Sequence, residues 1–135
     1  MIVTKYNIEQ IHNNWSAISK FIENSIKQSG CEDYVVEDVK ECLYNKDMLC
    51  FAVIEKDKII GVVIVTLIIY PKQVIAFITN FGGKLITNKD AFNKLLNEFK
   101  KLGVTKIQGY VRESVARLSN RVGFVNKQTL VEYKV

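Results

Sequence analysis

Two adjacent glycines, Gly82 and Gly83, follow an apolar run and stand directly before Lys84. Beyond them Phe92, Leu95, Leu96, Phe99 and Leu102 recur at helical spacing, with Thr87 or Asn88 placed to cap that helix and Gly103 to end it. A glycine-rich link between a strand and a helix exposes backbone N–H groups at the helix N-terminus. The peptide dipoles add a partial positive charge there, which suits a phosphate or another anion. Asn80, Phe81, Gly82, Gly83, Lys84 and Asn88 form the segment that could do this, with Lys84 as a point charge. The same glycines also suit a turn or bulge with positive φ.

The charge distribution agrees with an anion partner on that side. Residues 1–80 carry eight Lys/Arg against ten Asp/Glu, whereas residues 81–135 carry eleven against four. The overall charge of +5 thus comes from the half that holds the glycines. A basic surface of this kind attracts a cofactor phosphate, a nucleic acid or an acidic protein, and it also occurs as a merely solvated face.

Other chemistries find little support. The single histidine, His12, lies off the apolar stripe of its helix and reads as a surface residue. One histidine leaves no room for most His-based triads or metal clusters. Cys31, Cys42 and Cys50 are odd in number and lack Cys-x-x-Cys spacing, which argues against a disulfide framework or a zinc site. Neither a phosphate-loop lysine motif nor Gly-x-Gly-x-x-Gly occurs. The apolar stretch Gln73–Asn80 contains no carboxylate to act as a base.

These residues need elements to position them. With 135 residues, 48% hydrophobic, the chain is expected to form one domain over residues 1–135. Asn7 can cap a first helix running to about Gln28, with Ile8, Ile11, Trp15, Ile18, Ile22 and Ile26 as its stripe. A shorter helix spans about Val36 to Tyr44. Leu49–Ile54, Ile59–Tyr70 and Gln73–Asn80 read as an antiparallel meander. The run Ile59–Tyr70 is too short to cross a bilayer as a helix, and no signal-peptide layout opens the chain. The helix of Asn88–Leu102, a strand from Lys106 to Val111, and a short helix from Arg112 to Val122 follow. A strand–helix–strand of this length implies a parallel pair. The expected fold class is α/β (α+β): a mixed sheet with an antiparallel meander, then a β-α-β unit, and helices on both faces. Trp15, Ile18, Ile22, Phe92, Leu95, Leu96 and Phe99 are the expected core.

This order resembles the GNAT-type acyl-CoA N-acyltransferase superfamily. The likeness is strongest at Arg112-Glu113-Ser114-Val115-Ala116-Arg117-Leu118-Ser119-Asn120-Arg121-Val122-Gly123-Phe124, which is similar to the family's penultimate helix and its Gly-Phe ending. Trp15, Gly82-Gly83 and Arg112 also resemble a small group of GNAT-like proteins of tailed phages and prophages. The resemblance implies acetyl-CoA as cofactor, with its pyrophosphate at Asn80–Lys84 and Asn88. It implies a splayed parallel strand pair whose gap, near Asn80 and Tyr110, admits the pantetheine arm, and a final strand or hairpin after Phe124. It implies an amine acceptor if the protein is an enzyme, while the three unpaired cysteines suit a cytoplasmic protein. Three departures weaken the match, one being that Gln73–Asn80, the fourth strand of the family's order, lacks the carboxylate that would deprotonate the amine. The glycines are adjacent, whereas the family spaces them. Ser119 stands where many members have the tyrosine that protonates the leaving thiolate, which leaves Ser119 or Tyr110 as the acid.

Two function classes stay open on this reading. One is an N-acetyltransferase with weakened cofactor and catalytic motifs. The other is a non-catalytic GNAT-like scaffold that binds another protein, such as a phage virion or assembly component. A nucleic-acid binder is the weaker third, since no exposed aromatics interleave the basic residues. No membrane partner is expected.

Overall fold

The computed structural model describes residues 1–83 and 88–135. Its centre is a five-stranded mixed sheet in the order β1-β2-β3-β4-β5. The strands are β1 (Ile2–Tyr6), β2 (Leu49–Glu55), β3 (Lys58–Ile69), β4 (Val74–Gly83) and β5 (Lys106–Gly109). The first four pair antiparallel in sequence order, and β5 joins β4 in parallel. The helices are α1 (Ile8–Asn13), α2 (Trp15–Ser29), α3 (Val36–Tyr44), α4 (Lys89–Lys101) and α5 (Glu113–Arg121). None of these helices is long and apolar enough to cross a membrane.

Local signals explain most boundaries. Asn7 caps α1 reciprocally: its side chain accepts from the Gln10 N–H, and the Gln10 side chain accepts from the Asn7 N–H, both at 2.8 Å. Gly30 ends α2 in the left-handed conformation, φ 67°. Lys56 and Asp57 both take positive φ in the tight β2–β3 hairpin, as the right-handed twist of the flanking strands requires. Asn88 caps α4 by accepting from the Ala91 N–H at 3.0 Å.

Strand alternation sorts the core into two layers. Cys50, Ala52, Val62 and Ile64 face α1–α3 and meet Ile11, Ile18, Ile22, Val39 and Leu43. Phe51, Val53, Val63, Val65 and Ala76 face α4 and meet Ala91, Leu95 and Phe99. Phe51 and Phe99 pack edge to face, with ring centroids 5.0 Å apart. Because β3 is covered on both faces, its sequence is a continuous apolar run without alternation.

The structure departs from expectation in four places. Ile2–Tyr6 forms an additional strand beside β2, with Val3 and Tyr6 buried on opposite faces. The expected first helix is two helices, broken at Asn14, whose side-chain amide and backbone N–H both bond the Gln10 carbonyl. Trp15 and Leu96 are half-buried rather than core, since each sits at the flank of its stripe. The strand expected after Phe124 is not formed. Val125, Leu130, Val131 and Tyr133 lie exposed, and Phe124 packs on Phe92 instead.

Candidate functional site

β4 carries the main structural feature. It pairs with β5 only from Ile75 to Ile78, but continues against β3 as far as Gly83. From Thr79 onward its β5 side has no strand partner among the described residues, and there the sheet opens. Peptide groups on that side lack a ladder partner, and such groups seek other hydrogen bonds.

A bulge sits at the mouth of this opening. Ile64 pairs with Asn80 and Val65 with Ile78, which leaves Thr79 as the extra residue. Ala76 and Ile78 pack on the α4 side, and strict alternation would send Asn80 there too. The extra residue reverses the order. Phe81 takes the α4 side, and Asn80 turns to the α2 side. The Thr79 hydroxyl closes the bulge by donating to the Ile64 carbonyl at 3.2 Å.

Asn80 is 2% exposed. Its Nδ2 donates to Ser25 Oγ and to the Tyr34 hydroxyl, each at 3.1 Å. Tyr34 in turn donates to the Thr79 carbonyl at 3.3 Å. Burial raises the Tyr34 pKa above the usual tyrosine value; the Asn80 hydrogen bond opposes that, while Cys31 and Asp33 add to it. Tyr34 therefore stays a neutral hydroxyl at physiological pH. Oδ1 of Asn80 is buried with no partner among the described residues. Leaving such an acceptor unpaired costs about 1–3 kcal/mol. Sequence reading missed Ser25 and Tyr34, because their residue types are ordinary and only the bulge brings Asn80 to them.

The glycine pair is not a loop. Gly82 pairs with Val62 and Gly83 with Gly61, both inside β4. This corrects the expected loop conformation at these two positions, and the cause is close packing. A Cβ on Gly82 would sit 3.1 Å from the Phe21 ring, and one on Gly83 would overlap the Ile60 carbonyl oxygen. Gly83 also has φ 91°, which fits the alternative of a positive-φ glycine. Lys84 lies outside the described residues. Asn88 spends its side-chain oxygen on the α4 cap, which fixes the helix start without leaving that oxygen for a ligand. Asp90 in the first turn adds a negative charge, partly offset by Lys94 at 3.2 Å.

Neither hydroxyl expected to act as an acid stands ready in this geometry. Ser119 is 7% exposed, and its Oγ donates to the Val115 carbonyl of its own helix at 2.9 Å. Tyr110, 67% exposed just past β5, packs edge-on against Phe77 at 5.3 Å. It lies on the β5 side of the opening and Asn80 on the β4 side. Among the described residues, no group of three or more His, Cys, Asp or Glu side chains could hold a metal ion.

The open edge of β4 fits an extended, amide-bearing arm such as pantetheine, which can pair with free peptide groups. Beside the glycines, β3 and Phe21 leave no room for a side chain, so both positions serve the close packing of the strand.

No protein-family model and no curated protein matches the chain by sequence. Solved structures do match it by fold. A GCN5-related N-acetyltransferase from Ralstonia eutropha superposes with a TM-score of 0.71 at 12% identity, over 98% of this chain and 97% of that one. A predicted acetyltransferase with acetyl-CoA from Clostridium acetobutylicum gives 0.67 at 16%, over 98% and 94%. An aminoglycoside acetyltransferase from an uncultured soil metagenomic sample, in complex with sisomicin, gives 0.70 at 10%, over 98% and 93%. With its five-strand mixed sheet and parallel end pair, the chain has the fold of the GNAT acetyltransferases.

Proposed function

We propose that the chain binds an acyl-CoA thioester along the open edge of β4 and transfers the acyl group slowly to an amine. The carrying observation is the separation of β4 from β5 after Ile78, which leaves Thr79–Gly83 without a strand partner on that side among the described residues. Acetyl-CoA, when bound, supplies the activated acyl group. Peptide groups of Thr79 to Gly83 would hold the pantetheine arm, and the basic surface of residues 81–135 would attract its phosphates. Positioning is the main contribution left to the protein, because no carboxylate lies on β4 and Ser119 is bonded into α5.

A second reading is a non-catalytic scaffold on the same fold. The internal hydrogen bond of Ser119 favours it, since the expected acid position is committed to helix structure.

Calorimetric titration with acetyl-CoA, paired with an assay of thiol release, separates the two. The amine panel should include an aminoglycoside, a polyamine and protein lysines. Micromolar binding with slow thiol release supports the transferase. Binding without release from any amine supports the scaffold, and silence in both removes the acyl-CoA reading.

A further inference from the structure

Residues 125–135 form no helix or strand, and no backbone hydrogen bond to the described residues ties them down. Their sequence is nonetheless that of a strand. Val131, Tyr133 and Val135 alternate with Glu132 and Lys134, in residue types that mostly favour pleated structure. The apolar set is the part left in water: Val131 is 86% and Tyr133 90% exposed. A strand with such a face calls for a partner. The chain carries a matching edge at β5, which ends the sheet and pairs only with β4 among the described residues. Ile107 faces the α4 layer there, beside Leu102 and Val104, and all three stay half-buried at the sheet's end. Lys106 and Gln108 face the other side, where Tyr110 packs on Phe77.

We propose that residues 128–135 of one copy add as an antiparallel strand to the β5 edge of a second copy, each copy giving its segment to the other. One register satisfies both faces. With Val131 opposite Ile107, Tyr133 and Val135 run on toward the Val104 and Leu102 rim of the α4 layer. Glu132 then lies opposite Lys106, an attractive cross-strand pair, and Leu130 opposite Gln108, beside Phe77 and Tyr110. Within one molecule the segment leaves its own β5 free. Phe124 is held on Phe92 and by its N–H on the Ser119 carbonyl at 3.1 Å, and the chain beyond it stays exposed. Segment and edge occur once in each molecule, so reciprocal exchange closes under two-fold symmetry and leaves neither unpaired.

The test measures the mass of the full chain by sedimentation across a dilution series, with hydrogen exchange of the segment's amides alongside. The parent should be a dimer at micromolar concentration, and the amides of residues 129–134 should be protected in the dimer only. Val131→Asp, which strikes both exchanged strands at once, should weaken the dimer about a hundredfold. Glu132→Lys sets lysine opposite Lys106 twice and should weaken it about tenfold. Lys106→Glu added to Glu132→Lys should restore the parent affinity. These side chains are exposed, so each variant keeps its fold. A parent that stays monomeric overturns the proposal, whether its segment amides exchange freely or are protected by closing on their own β5. A dimer indifferent to Val131→Asp, or a Glu132→Lys defect that Lys106→Glu fails to rescue, overturns it too, since the interface then lies elsewhere.

Discussion

Asn80 donates to the Tyr34 hydroxyl across 3.1 Å, joining a bulged strand to the segment that precedes α3. The two residues lie 46 positions apart in sequence, and the bond exists only because one extra residue in β4 turns Asn80 to the Tyr34 side.

Gly83→Val should unfold the β3–β4 edge rather than merely weaken an anion site. A side chain there meets the Ile60 carbonyl, and the positive φ disfavours a β-branched residue. Urea melts should report a loss of at least about 2 kcal/mol. A stability equal to the parent's would contradict the pairing of Gly83 with Gly61.

Leu95→Ala and Leu96→Ala should differ although the residues are neighbours. Leu95 is fully enclosed between α4 and the sheet, and Leu96 is half-buried. Leu95→Ala should cost about 2–5 kcal/mol, and Leu96→Ala clearly less. Equal losses would mean that α4 is rotated about its axis.

Cys50 should resist thiol reagents while Cys31 and Cys42 react. Burial pushes the Cys50 thiol up to about 12 from 9.0, whereas the other two are half-buried. The raised value also links folding to pH. Its contribution to stability is fully present below about 9 and is lost as pH rises toward 12, at about 1.4 kcal/mol for each pH unit in that window. Labelling at pH 8 should count two fast thiols; three would place Cys50 at the surface.

Acetyl transfer should run well below a typical enzyme rate of about 10 s⁻¹. An acid and a base each contribute about 10²–10⁴-fold, and among the described residues β4 carries no carboxylate and Ser119 is bonded within its own helix. Ser119→Ala should therefore leave thiol release within about twofold of the parent, because its hydroxyl serves the Val115 carbonyl. A drop of a hundredfold with the fold intact would make Ser119 catalytic after all.

Local chemistry alone determined most of the elements. Apolar patterning placed α3, α4 and the β2–β4 meander within a residue or three of their observed ends, and the Gly123-Phe124 ending marked the end of α5. Capping residues Asn7, Asn88 and Gly30 marked three boundaries, because a cap is a local hydrogen bond or a local φ. The order of elements sufficed to anticipate the mixed sheet and its parallel pair, since a strand–helix–strand has few ways to pack. The site depended on tertiary structure. Which face Asn80 takes hinges on the register of β3 against β4, where one extra residue inverts every side chain beyond it. Gly82 and Gly83 read as a loop because glycine is the common signal of a turn and of a close approach; only Phe21 and the Ile60 carbonyl, distant in sequence, decide between them. Burial of Ser119 likewise comes from what packs over α5, which no spacing within residues 113–121 encodes.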